Sequence, residues 1–72
     1  VEAKAIRNNL CALRKAQPLT QAQLGTMVGV SRQAIIAIEA DKHAPSLNLA
    51  FRLANVFGCP LEAIFPNPYD IG

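Results

Sequence analysis

Ser31, Arg32 and Gln33 open an apolar-periodic stretch, and Ile36 and Ala37 follow one helical turn later. On a helix these five residues project together. An arginine can donate two hydrogen bonds to O6 and N7 of guanine, and a glutamine can pair with N6 and N7 of adenine. Isoleucine and alanine offer apolar contact to a thymine methyl. Such a face suits base edges in the major groove of duplex DNA, where the first residues of an inserted helix reach furthest. Each well-formed bidentate pair is worth about 1–3 kcal/mol of discrimination between bases. The rest of the chain offers no comparable set. It has no carboxylate pair, nucleophile–base set or phosphate loop at workable spacing, which argues against an enzyme. One histidine, His43, and two distant cysteines, Cys11 and Cys59, make no metal site, so no metal or cofactor is expected. Both cysteines sit in apolar contexts and are expected as reduced core residues of a cytoplasmic protein.

The helix that carries this face must be held at a fixed angle. Thr20 and Gln23 form a Thr-x-x-Gln capping box, which predicts a helix from Gln21 to Val28 with Leu24, Met27 and Val28 facing inward. Gly29 can take the left-handed conformation that ends it. Ser31 then caps a helix over Arg32 to Ala40 whose inward residues are Ile35 and Ile38. Gly25 lies on the inner face of the first of these helices, where a bulky side chain would hold the second away. Residues 21–40 are thus a helix-turn-helix candidate.

The flanks read as helices too. Ile6, Leu10 and Leu13 predict a first helix from Ile6 to Ala16, stopped by Pro18. Ser46 caps a fourth, Leu47 to Phe57, with Leu49, Leu53, Val56 and Phe57 on one stripe, and Gly58 ends it. Pro60 starts a short fifth helix running to Ile64 or Phe65, beyond which Pro66 and Pro68 prevent continuation. The expectation is an all-α, five-helix bundle forming one domain over residues 1–72. The ends, Val1–Ala5 and Pro66–Gly72, are irregular or short terminal strands that could pair.

Composition agrees with this and adds a partner. The 72 residues are 51% hydrophobic with four aromatics, so the chain is globular, and its small core is a reason to expect a second subunit. Between residues 7 and 52, Arg7, Arg14, Lys15, Arg32, Lys42 and Arg52 stand against Glu39 and Asp41, a net +4; after residue 52 only Glu62 and Asp70 are charged, a net −2. A basic first part suits a polyanion, and an acidic end suits protein contacts. Phe51, Val56, Phe57, Leu61, Ile64 and Phe65 are more apolar surface than a small bundle hides alone. Val56, Phe57, Pro60, Leu61 and Phe65 are therefore expected at the interface of a two-fold homodimer. Such a dimer would present its two recognition helices about one DNA turn apart, ~34 Å. No apolar run approaches the ~20 residues of a membrane span, so no membrane contact is expected.

Thr20-Gln21-x-x-Leu24, Gly29-Val30-Ser31-Arg32-Gln33, Ile38-Glu39 and Pro45-Ser46-Leu47 resemble the phage-repressor/Cro-type (XRE) family of transcriptional regulators. The resemblance runs from about Ile6 to Phe65 and points to a small stand-alone member. It implies a lambda-repressor-like bundle and binding of a palindromic double-stranded DNA operator as a homodimer. It implies a backbone phosphate contact for Gln21, phosphate and base contacts for Ser31, Arg32 and Gln33, and a phosphate reached around Lys42 and His43. With no activation or ligand domain visible, a repressor is expected. A second reading is an antitoxin or interaction module, in which the same fold holds a toxin or another protein. The chain departs from the family where Ala34 and Ile36 replace small polar residues. Gly25 stands where alanine is usual, Pro18 where a glycine often is, and Asp41 where the third helix usually ends on glycine.

Overall fold

The computed structural model describes residues 7–69. Its elements are α1 (Leu10–Ala16), α2 (Gln21–Val28), α3 (Arg32–Glu39), α4 (Leu47–Phe57) and α5 (Leu61–Ile64). Each boundary has a local cause. Thr20 Oγ1 accepts the Gln23 N–H at 3.0 Å and the Thr20 N–H donates back to Gln23 Oε1 at 2.8 Å, so the capping box of α2 is complete. Ser31 and Ser46 each accept the amide three residues on, from Ala34 at 3.2 Å and Leu49 at 3.1 Å. Gly29 (φ 77°) and Gly58 (φ 62°) close α2 and α4 in the left-handed region.

α1 begins at Leu10, later than the expected Ile6, which lies outside the described residues. Arg7, Asn8 and Asn9 are not helical, because the two asparagines turn their hydrogen-bonding groups elsewhere. Asn8 Oδ1 accepts the Leu10 N–H at 3.0 Å, while the Asn9 N–H donates to the Ile64 carbonyl at 2.8 Å. Apolar spacing alone ran the helix through a residue pair whose side chains compete with helical backbone bonds. α3 stops at Glu39, with Ala40 as its C-cap, and α5 stops at Ile64, with Pro60 at its N-cap. No strand forms among the described residues. Residues 66–67 are irregular and 68–69 lie in a turn, and the remainder of the anticipated terminal strands lies outside the described residues.

α2 packs on both α3 and α4, and α4 packs on α5. The core is Leu10, Leu24, Val28, Ile35, Ile38, Leu49, Ala50, Leu53, Ala54 and Ile64. Full burial of each large aliphatic here contributes about 1.5–3 kcal/mol. Leu13, Val30, Val56, Phe57, Cys59 and Phe65 pack partly buried against it. Met27, expected inside, is 55% exposed. Leu24, Gly25 and Val28 form the inward stripe of α2, and Met27 stands about 100° round the helix from Val28. Both cysteines are free thiols of intermediate burial.

Gly25 sets the closeness of α2 to the turn before α3. A methyl carbon on it would lie 2.7 Å from the Val30 carbonyl oxygen, so an alanine does not fit without backbone movement. The turn itself carries crossed bonds, Val30 N–H to the Gly25 carbonyl at 2.9 Å and Gly29 N–H to the Thr26 carbonyl at 3.4 Å. From α4, Arg52 Nη1 donates to the Val28 carbonyl and places a cation at the negative end of α2.

Candidate nucleic-acid interface

α3 exposes Ser31, Arg32 and Gln33, while Ala34, Ile36 and Ala37 are half-buried and Ile35 and Ile38 are sealed in the core. This division follows from the helical period. The apolar positions that hold α3 down leave its first turn and one flank free. Ser31 Oγ is engaged as the cap of α3, so any phosphate or base contact by Ser31 must share that oxygen. Ile36 is half-buried but does not belong to the set packed on the core, so part of its side chain stays on the projecting face.

The angle of α3 is fixed at its far end by a network that spacing alone left open. Glu39 accepts Arg14 Nε at 2.6 Å on Oε2, and Arg14 Nη2 at 3.2 Å together with Gln21 Nε2 at 3.1 Å on Oε1. The two charged side chains keep only 12% and 7% of their accessible surface, and Arg14 Nη1 also caps the Leu19 carbonyl at 2.9 Å. Burial by itself would raise the Glu39 pKa. The hydrogen bonds from Arg14 and Gln21 outweigh it and hold the carboxyl below its ordinary value. Bonding to Glu39 likewise raises the Arg14 pKa against the cost of burial. α1, the start of α2 and the end of α3 are thus tied at one carboxylate. The bond from Gln21 to Glu39 spans 18 residues, which no local spacing indicates. Gln21, the expected phosphate residue, has an amide hydrogen committed to Glu39. Its second amide hydrogen and its carbonyl enter no bond among the described residues.

Gln21 and Arg32 come together with Arg14, Lys15, Pro18, Leu19, Thr20 and Ala22 around a shallow depression of about 530 Å³ at the head of α2. Lys15, exposed at its rim, is a cation that motif reasoning did not single out. Its position six residues before the start of α2, in the last turn of α1, was the available signal. Lys42 and His43 lie at the opposite end of α3, exposed in the loop to α4. Asp41 holds φ 59° there, in the left-handed region that favours glycine. The turn is closed by Asp41 N–H to the Ile38 carbonyl and Lys42 N–H to the Ala37 carbonyl, both 3.0 Å. Polar groups therefore cluster at both ends of an eight-residue helix. Its length, about 12 Å at 1.5 Å per residue, matches the ~12 Å width of a B-DNA major groove.

Of the five residues expected at a dimer interface, Val56, Phe57 and Phe65 pack partly on the chain's own core. Pro60 is exposed and Leu61 half-buried. Ile64 is wholly internal, and the large apolar side chains left most open on α4 are Leu47 (65%) and Phe51 (55%). A cleft of about 570 Å³ runs between the α3–α4 loop, α4 and the 65–69 segment. Lys42 and His43 stand on one wall, with Leu61 and Phe65 among the residues of the other. Among the described residues there is no cluster of three or more potential metal ligands, and no helix is long and apolar enough to cross a membrane.

A family model described as helix-turn-helix matches residues 12–64. An uncharacterized HTH-type transcriptional regulator of Methanocaldococcus jannaschii is 50% identical over 60 residues, covering 83% of this chain and 91% of that protein. The immunity repressor protein of Bacillus phage phi105 is 38% identical over 53 residues, covering 74% of this chain and 37% of its own. Among solved structures, the restriction-modification controller protein C.AhdI from Aeromonas hydrophila superposes with a TM-score of 0.69 at 26% identity, covering 75% of this chain and 78% of that one.

Proposed function

The chain belongs to the helix-turn-helix family of DNA-binding transcriptional regulators, of the phage-repressor/Cro (XRE) type, and from that premise we propose that it is a repressor that binds a palindromic operator as a homodimer. The observation that carries this reading is the isolation of Ser31, Arg32 and Gln33 at the exposed head of α3, flanked by polar groups at both ends of that helix. Arg32 and Gln33 read base edges. Ile36 and Ala37 supply apolar shape against thymine methyls. Lys15, Gln21 and Ser31 address phosphates at one groove edge, and Lys42 and His43 those at the other. An immunity repressor and a restriction-modification controller protein among the relatives support a role in switching promoters.

The dimer reading rests on exposed Pro60 and half-buried Leu61, the two expected interface residues that are not packed against the core, with Val56, Phe57 and Phe65 beside them. Two-fold pairing through α5 repeats the same surface on both subunits and sets two recognition helices on one side of the duplex.

The test is selection of bound duplexes from random DNA, followed by mobility-shift titration of the enriched sequence. A palindrome with half-sites about one turn apart is expected. Arg32→Ala should lose discrimination between the selected duplex and a scrambled one, and Lys42→Ala should weaken both alike. Equal behaviour of both variants and the parent would overturn the docking. The exposed Leu47 and Phe51 favour a second reading, in which α4 holds a partner protein such as a toxin. A stoichiometric complex lost on Phe51→Glu would support it.

A further inference from the structure

The two asparagines before α1 join parts of the fold that are far apart in sequence. Asn8 Nδ2 donates to the Ile38 carbonyl at 2.7 Å and to Asp41 Oδ1 at 2.7 Å. Its Oδ1 accepts the Leu10 N–H at 3.0 Å. Next to it, the Asn9 N–H donates to the Ile64 carbonyl at 2.8 Å and Asn9 Nδ2 to the Ala63 carbonyl at 3.0 Å. The dipeptide is a clasp, with one side on the end of α3 and the other on the end of α5.

We propose that Asn8 is a positioning residue for DNA binding, which acts by holding the left-handed turn at Asp41 and so the phosphate-facing residues Lys42 and His43. This inference rests on the DNA-binding reading above. Asp41 occupies a backbone conformation that favours glycine, at φ 59°. An aspartate there needs something to hold it. Asn8 supplies a donor to its carboxylate and a second hydrogen bond to the carbonyl that already accepts the Asp41 N–H. Pairing also engages the carboxylate with Asn8. The departure from the family's glycine at position 41 is thereby matched by a partner on a different element.

Asn8 and Asp41 can exchange roles, which makes the proposal separable from folding and from net charge. Asn8→Asp keeps the oxygen that caps Leu10 but removes the donor and faces two carboxylates together. Asp41→Asn keeps an acceptor for Asn8 and tolerates the left-handed turn. The double variant N8D/D41N has the parent's net charge and reverses the bond between the two side chains, with the residue at 41 donating to the residue at 8, while the bond to the Ile38 carbonyl stays lost in both N8D variants.

All four proteins are titrated with the palindromic duplex enriched by the parent, over a series of salt concentrations, with circular dichroism as the folding control. If charge alone matters, the effects of the two single changes multiply in the double variant. If the clasp positions the turn, the double variant binds about tenfold tighter than that product, and it regains a salt slope that Asn8→Asp loses. Amide exchange at Lys42, which donates to Ala37, accelerates in Asn8→Asp and slows again in N8D/D41N. Multiplicative effects with unchanged exchange at Lys42 would overturn the proposal. If the parent enriches no duplex, the DNA-binding reading fails and takes this inference with it. An additive cycle on a duplex that the parent does bind defeats the clasp alone.

Discussion

The Gly25 Cα faces the Val30 carbonyl so closely that a single added carbon would stand 2.7 Å from its oxygen. The helix-turn-helix angle is therefore set by a backbone-to-backbone approach. Alanine, usual at this position in the family, raises helix propensity by about 1 kcal/mol. Here that gain is outweighed by overpacking of about 1–3 kcal/mol. Gly25→Ala is expected to lower the urea midpoint, and a raised midpoint would show that the turn yields freely.

Glu39 ties Arg14 and Gln21 to the end of α3, and its pKa is held below the ordinary 4.5. A carboxyl depressed in the folded state binds fewer protons there than in the unfolded chain, so stability rises with pH through its titration range. The contribution is complete above about pH 4.5 and is lost as pH falls through the lower folded value. Glu39→Gln should flatten the acid limb of a stability–pH curve measured between pH 2 and 6. Glu39→Ala, which strands a largely covered guanidinium, should cost about 3 kcal/mol at neutral pH.

Arg52 donates to the Val28 carbonyl beside the Gly29 turn. Its side chain is exposed, so the bond is worth less than a buried charged one, about 1 kcal/mol. Arg52→Ala should lower the unfolding free energy by that amount, read from a urea titration, while Arg52→Lys, which keeps the cation, recovers part of it. Equal losses in both would assign the effect to packing.

If affinity depends on phosphates at both ends of α3, the logarithm of the association constant falls linearly with the logarithm of salt. Each lost phosphate contact lowers the slope by about 0.9. Lys15→Ala and Lys42→Ala should each produce such a change in a fluorescence-anisotropy titration, and together they should add. An unchanged slope in both would remove these residues from the interface.

Leu61 is half-buried beside exposed Pro60 on α5. Leu61→Glu should leave the helical spectrum intact and shift sedimentation equilibrium toward monomer, with a loss of cooperative binding to the palindrome. A variant that remains as dimeric as its parent would move the interface away from α5, toward Leu47 and Phe51.

The order of five helices, the two serine caps, the capping box and the glycine turn were legible in the sequence because each depends on residues within four positions of one another. So was the projecting set Ser31, Arg32 and Gln33, since Ile35 and Ile38 fix by period which side of α3 is buried. Tertiary structure decided what spacing could not. Asn8 and Asn9 delay the start of the first helix because their partners lie some 30 and 54 residues away, at Ile38 and Ala63. Gln21 turns one amide hydrogen to Glu39, 18 residues on, and Arg52 reaches back 24 residues to Val28. Periodicity counts apolar positions along one helix. It carries no information about which distant carbonyl or carboxylate the fold will bring opposite a polar side chain, and those meetings hold α3 at its angle.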